Sequence, residues 1–346
     1  MTKPLNLVYN FGKFELITFT SLKKPAGMML MKTTLEVKNL KKYYGDVKAV
    51  DGISFSVDEG EIFGMLGPNG AGKTTTIETV IGLIERTSGD ISVLGMEPES
   101  ELKEIKQRIG VQLQNPSLFP RLTVKETLEL FASFYPEPLD VGSAAGQVGI
   151  EDSFKTEVDS LSGGQKHRLA VALSLVSNGE IIFLDEPTTG LDPKARRDLW
   201  NTITNLQDRD RTVFLTTHYM DEAEKLCDHL VIIDRGEIIA QGSPKHLVNK
   251  YFPRRAIEFT DPGLNPEEKE ELAELTSDGD LSFDEGENRV ILYTEGVAKA
   301  FDELFDYTQK INKPLNDVSV RTATLDDVFL KLTGRGIEED EQAENI

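Results

Sequence analysis

The chain has 346 residues, 38 basic and 59 acidic, for a formal net charge of −21. At roughly 100–200 residues per domain that length suggests two domains, and a hydrophobic share of 39% is enough to bury a core in each. A surface this acidic argues against a nucleic-acid partner, because phosphate affinity there rests on many Lys and Arg; it leaves room for one nucleotide in a local basic pocket.

Cys227 is the only cysteine. No internal disulfide is possible, which fits a reducing cytosol, and the residue reads as a small buried hydrophobe. No run approaches the roughly 20 apolar residues needed to span a bilayer. A pore, if this chain serves one, belongs to another chain.

In chain order, residues 1–33 come first. Leu5 to Thr20 is partly apolar, but Asn10, Gly12, Lys13 and Glu15 interrupt it, unlike the clean apolar centre of a signal peptide. Met28 and Met31 stand just before the first strand. A disordered extension or a misassigned start is expected here.

From Leu35, short β-branched runs alternate with helical patterns over 34–250. The runs are Ile53–Val57, Glu61–Leu66, Ile91–Leu94, Ile109–Leu113, Ile181–Leu184, Val213–Thr216 and Leu230–Ile233. Helical patterns follow Lys73, Leu122, Gly163, Pro193 and Tyr219. The alternation predicts an α/β fold. Ile181–Leu184 is apolar throughout, which predicts a strand buried on both faces of a mainly parallel sheet. Leu128, Phe131 and Phe134 give Leu122–Tyr135 an amphipathic pattern, and the Pro- and Gly-rich stretch Pro136–Gly146 reads as a loop.

Near Pro253 the pattern changes. A helix over Pro266–Leu275, a strand over Arg289–Tyr293, a helix over Ala298–Ile311 and an apolar run at Leu325–Leu332 predict a small α+β domain over 254–335. Residues 336–346 form an acidic tail expected to be solvated and disordered.

Gly67-Pro-Asn-Gly-Ala-Gly-Lys73-Thr74 follows an apolar strand and opens a helix, the context a P-loop requires. Glycines let successive N–H groups turn toward phosphate oxygens, and the helix N-terminus adds its positive end. Lys73 supplies a cation for the β- and γ-phosphates, and the Thr74 hydroxyl is placed for Mg²⁺. A second apolar strand ends in Asp185-Glu186. Asp185 can reach the same Mg²⁺. Glu186, pointing to the other side, is the expected general base or water-orienting residue. His218 closes a neighbouring strand, where it could contact the γ-phosphate and hold Glu186.

Leu161-Ser162-Gly163-Gly164-Gln165 opens a helix carrying Leu169, Ala172, Leu173 and Val176. Ser162, Gly163 and Gly164 form another cradle of backbone donors. One nucleotide needs one P-loop, so a second cradle implies a nucleotide held by another copy. Two copies facing head to tail would enclose two nucleotides in an isologous twofold.

Together GPNGAGKTT, LSGGQ, IIFLDEPTTGLD and TTH resemble the ATP-binding cassette (ABC) family over roughly Leu35–Lys250. The P-loop alone is shared by many NTPases; LSGGQ shortly before a strand ending in Asp-Glu is far more specific. The resemblance implies a P-loop NTPase with a mainly parallel core sheet, an antiparallel β-subdomain and a helical signature subdomain between Gln114 and Leu161. It implies ATP and Mg²⁺ as ligands. ATP would contact Gly67, Pro68, Asn69, Gly70, Ala71, Gly72, Lys73, Thr74 and Thr75, with Tyr44 of KKYYG stacked on adenine. Gln114 of GVQLQ would sense Mg²⁺ and a permease; Gln112 competes for that part, but spacing from Ile109-Gly110 favours Gln114. Asp192 would cross the dimer interface, and Leu161 to Gln165 would serve the opposite copy's nucleotide.

His218-Tyr-Met-Asp-Glu-Ala-Glu224 and Thr324–Gly334 look like the subgroup of ABC ATPases serving drug, lipid, polysaccharide or sodium exporters. That resemblance implies a homodimer, or a heterodimer with a related subunit, on the cytoplasmic face of the membrane. There it would drive a separately encoded integral-membrane permease through contacts near Gln114 and Phe119. A soluble ABC-type ATPase uncoupled from transport is the alternative.

Overall fold

The computed structural model describes residues 32–114, 117–207, 211–252, 255–275, 280–284, 286 and 288–334. Residues 1–31 of the expected extension, and the acidic tail, lie outside the described residues.

β1 (Thr33–Tyr44) and β2 (Val47–Asp58) form an antiparallel hairpin. Leu35, Val37 and Leu40 of the first and Ile53, Phe55 and Val57 of the second are buried. β3 (Ile62–Leu66) runs into the glycine loop, α1 (Lys73–Val80) follows it, and β4 (Ser88–Val93) pairs with β1. The result is an antiparallel sheet ordered β2-β1-β4.

α2 (Pro98–Arg108) leads to β5 (Ile109–Gln112). A helical layer follows: α3 (Val124–Ala132), α4 (Val141–Val148) and α5 (Gly163–Val176). Then come β6 (Ile181–Asp185), α6 (Pro193–Gln207), β7 (Thr212–Thr217) and α7 (Met220–Leu226). β8 (His229–Asp234), β9 (Glu237–Gly242) and α8 (Pro244–Tyr251) complete this part. The six-stranded sheet is ordered β5-β6-β7-β3-β8-β9 and is parallel except for β9.

Both faces of this sheet are buried, and alternation explains how. Ile182 and Leu184 of β6, with Val213 and Leu215 of β7, enter the core shared with the helices. Phe183 and Phe214 enter the core between the two sheets. There Phe214 lies 5.6 Å from Phe63 and 5.7 Å from Phe183, and Phe55 of β2 lies 5.5 Å from Phe63, ring centre to ring centre. Each such pair adds about 0.5–1.5 kcal/mol beyond its buried area.

Two local expectations change. Pro136–Gly146 is not all loop: Asp140 accepts the Ser143 N–H and starts α4, whose Ala144, Ala145 and Val148 are buried. Phe134 falls beyond the end of α3 and is 60% exposed, so only Leu128 and part of Phe131 face the core.

The remaining chain forms β10 (Arg255–Thr260), α9 (Pro266–Leu275), β11 (Asp280–Asp284), β12 (Arg289–Thr294), α10 (Val297–Lys310), β13 (Asn316–Thr322) and α11 (Leu325–Thr333). Its antiparallel sheet is ordered β11-β12-β10-β13. One face, with Ile257, Phe259 and Leu292, packs on Leu272 of α9 and on Leu304 and Tyr307 of α10. Ala256, Ile291 and Tyr293 instead share a core with Val328 and Phe329 of α11 and with Met220, Ala223 and Leu247 of α7 and α8. The carboxylate of Glu224, on α7, accepts the N–H of Leu325 at the start of α11. Among the described residues no helix is long and apolar enough to cross a membrane.

Candidate nucleotide site

The glycine loop runs from the buried end of β3 to α1. Gly67 donates its N–H to the Thr217 carbonyl at 3.2 Å, and a Cβ here would sit 2.2 Å from the Ile233 carbonyl oxygen. Gly72 has φ +106 and lies against β2, where a Cβ would meet the Ala49 oxygen at 2.3 Å. Gly67, Pro68 and Ala71 are buried, whereas Asn69 and Gly70 face solvent. Thr74 and Thr75 occupy the first turn of α1.

Lys73 is 4% exposed. Its ammonium donates to the carbonyls of Gly67 and Pro68 at 2.8 and 2.9 Å and lies 3.1 Å from Glu186 Oε1. Glu186 follows the end of β6 with φ +47, outside strand geometry. That turn separates the two acids. Asp185 Oδ1 accepts from Thr216 at 2.5 Å and from Thr74 at 3.4 Å. Glu186 Oε2 meets Gln114 Nε2 at 3.1 Å, Thr189 Oγ1 at 3.1 Å and His218 Nδ1 at 3.3 Å. Burial pushes the Glu186 carboxyl up, but the adjacent His218 imidazole and the Lys73 charge outweigh it and bring the pKa to about 2.

Asp185 is completely buried, and its Oδ2 has no hydrogen-bond partner. Burial pushes its pKa up. A carboxylate with an unsatisfied buried oxygen beside a threonine hydroxyl is a donor set that fits a divalent cation. Gln112 behaves differently from Gln114: it is buried, and its amide donates to the Asp185 and Leu113 carbonyls.

Tyr44 ends β1, is 50% exposed and has the Lys42 ammonium 4.8 Å from its ring centre. Its neighbour Tyr43 is turned inward and donates its hydroxyl to Asp51. Phe119 is 54% exposed.

Leu161 is buried, Ser162 and Gly163 are exposed, and Gly164 and Gln165 are half-buried. Ser162 caps α5. Its N–H donates to Gln165 Oε1 at 2.9 Å, and its Oγ accepts the Gln165 N–H at 3.3 Å. Ser162 is therefore not a free backbone donor, as its place in the loop suggested; Gly163 and Gly164 are the first-turn donors outside this reciprocal cap. Asp192 is exposed at the start of α6, where the N–H groups of Ala195 and Lys194 hold its pKa down.

Three supporting residues had no role assigned from the sequence, though Thr216 and Thr189 lie within TTH and IIFLDEPTTGLD. Thr216 faces Asp185 through the β6–β7 register, Thr189 contacts Glu186, and His167 on α5 reaches the Pro187 carbonyl at 3.0 Å.

A phosphate loop on a parallel sheet, with a lysine and two differently aimed acids, defines a P-loop NTPase. The family model described as "ABC transporter" matches residues 50–189. The Nod factor export ATP-binding protein I of Burkholderia orbicola is 37% identical over 313 residues, covering 88% of this chain and 98% of that protein. The linearmycin resistance ATP-binding protein LnrL of Bacillus subtilis is 35% identical over 308 residues, covering 87% and 98%. A solved ATP-binding subunit of an ABC transporter matches with TM-score 0.58 and 28% identity over 63% of this chain and 93% of that one. A dimeric cassette in a post-hydrolysis state with ADP and Pi matches with TM-score 0.56 and 26% identity over 60% and 98%. The chain belongs to the ABC transporter family and is one of its ATP-binding, ATP-hydrolysing subunits.

Proposed function

We propose that this subunit hydrolyses ATP as a dimer to drive export through a separately encoded membrane permease, while lying on the cytoplasmic face of the membrane. Residues 34–250 would form the cassette and 254–335 an accessory domain. The reading rests above all on Glu186: its carboxylate contacts Lys73 of the P-loop, Gln114 after β5 and His218 after β7. Export is favoured because the relatives are named for Nod factor export and linearmycin resistance.

In the proposed cycle Lys73 leaves Glu186 for the β- and γ-phosphates, and the loop's N–H groups from Asn69 to Thr75 face the same oxygens. Tyr44 stacks on the adenine. Thr74 and Asp185, with Gln114 nearby, would hold Mg²⁺, whose charge offsets that of the phosphates. Released from Lys73, Glu186 orients the attacking water, and His218 keeps its carboxylate in place. Gly163, Gly164 and the Ser162 hydroxyl of the opposite copy approach the γ-phosphate, while Asp192 crosses the interface. Closure excludes water and strengthens these interactions.

The permease would dock near Gln114 and Phe119; beside them in sequence, Leu113 lines a groove of about 400 Å³ with Ile81, Leu83, Val111, Phe134 and Tyr135, rimmed by Lys106 and Gln107. Leu83 and Phe134 are 50% and 60% exposed. An apolar groove of this kind suits an amphipathic helix.

The direct experiment compares the wild type with Glu186→Gln. The variant binds ATP, loses about 10²–10⁴ in turnover and accumulates as an ATP-bound dimer by light scattering. Normal turnover, or a strictly monomeric ATP-bound variant, would overturn the reading.

A further inference from the structure

Glu222 sits on α7, four residues after His218, and is 0% exposed. The hydrolysis scheme makes no use of it. Its surroundings come from three parts of the site. Trp200 of α6 donates its indole N–H to Oε1 at 2.8 Å. Thr217, at the end of β7, and Thr188, two residues beyond Glu186, lie beside the same carboxylate and oppose the burial that raises its pKa, although neither Glu222 Oε2 nor the Thr188 hydroxyl has a hydrogen-bond partner. Arg196 of α6 supplies the nearby positive charge, with its guanidinium 3.9 Å from the centre of the Tyr219 ring.

These contacts join segments that move different functional groups. Thr188 lies in the turn between Glu186 and Asp192. Trp200 and Arg196 lie on the helix that Asp192 caps. Thr217 and Tyr219 flank His218. A buried carboxylate costs several kcal/mol in desolvation, and an apolar residue of similar size would fill this space more cheaply. What the carboxylate adds is a directional bond from α6 to α7, made beside Thr188 and Thr217, and that sets the relative geometry of the two helices.

We propose that Glu222 is a positioning residue for hydrolysis. By tying α6, which Asp192 starts, to the start of α7, it keeps Glu186 and His218 at their 3.3 Å contact when the dimer closes. The inference rests on the roles given to those two residues above.

The test uses full-length Glu222→Ala, Glu222→Gln and Trp200→Phe, alone and with His218→Ala. Steady-state turnover is measured beside ATP affinity by direct binding. Glu222→Ala lowers kcat by about 10–100-fold, as small misplacements of catalytic groups do, with ATP affinity within about twofold of wild type. Glu222→Gln keeps an oxygen for the Trp200 N–H and recovers most of the rate. Added to His218→Ala, Glu222→Ala causes little further loss, because the two act as one unit. If Glu222→Ala does not fold, Trp200→Phe carries the test, with a smaller kcat loss that also vanishes in the His218→Ala background. Wild-type kcat in the folded variants, or losses that multiply with His218→Ala, would overturn the proposal. An inactive wild type would instead overturn the hydrolysis reading itself.

Discussion

The Lys73 ammonium lies 3.1 Å from Glu186 Oε1, and both side chains are only 4% exposed. The cation expected to meet phosphate and the carboxylate expected to orient water thus neutralise each other in this structure. Nucleotide binding has to part them, and parting them frees both for their separate tasks.

Removing one member of such a pair leaves a buried charge behind. Lys73→Ala should destabilise the nucleotide-free protein by about 3 kcal/mol, somewhat offset by the remaining contacts of Glu186 to Gln114, Thr189 and His218. Adding Glu186→Gln should restore part of that stability, because no charge is then left unpaired. Urea unfolding of the two single variants and the double variant measures the coupling; strictly additive losses would show that the pair contributes nothing.

The same carboxylate sets a pH dependence. Its folded-state pKa, about 2, lies below the ordinary 4.5. The unfolded chain therefore takes up the proton first as pH falls. The stabilisation from ionised Glu186 is complete above about pH 4.5 and drains away as pH drops toward 2. The stability gap between wild type and Glu186→Gln should be flat above about pH 5 and shrink below it. A gap unchanged down to the acid limit of folding would contradict the assignment.

Asp185 gives a different result. Its Oδ2 is buried without a partner, and burial pushes its pKa up. Asp185→Asn should leave nucleotide-free stability close to wild type, since it removes a poorly compensated charge. It should also abolish most of the gain in ATP affinity that Mg²⁺ confers, by about tenfold or more. Titrations of ATP with Mg²⁺ and with EDTA give the ratio; an unchanged ratio would remove Asp185 from the metal site.

How much of this was readable in the sequence depends on range. The glycine loop, Lys73 and the Asp185-Glu186 pair are contiguous, so their chemistry could be read locally. Thr216 could not be linked to Asp185 before the β6–β7 register was known, because that contact spans a parallel crossover. α4 was hidden by the Pro- and Gly-rich stretch that overlaps it, with Gly142 and Gly146 inside the helix; its signal is the Asp140 cap followed by small apolar residues. β13 offers only Val318 and Val320 as an alternating pair, too short a signal to detect, and most of its residues are exposed. The reciprocal cap of Ser162 and Gln165 was legible as Ser-x-x-Gln, and the attraction of a phosphate cradle concealed it.

That cap bears on the opposite copy. Ser162→Arg should abolish hydrolysis while each subunit still binds ATP through its own P-loop. Mixed with Lys73→Ala subunits, it should regain activity, because the heterodimer contains one composite site with an intact Lys73 and an intact Ser162. A mixture as inactive as either variant alone would argue that one copy does not complete the other's site.

The wedge at Gly67 has a further consequence. Held between the Thr217 carbonyl and the backbone at Ile233, the loop is clamped on two sides before any ligand arrives. At that end of the loop little chain entropy is left to lose on capture, even though Lys73 must still leave Glu186. Most of the attraction then remains for drawing two subunits together, the work a membrane machine needs from its fuel.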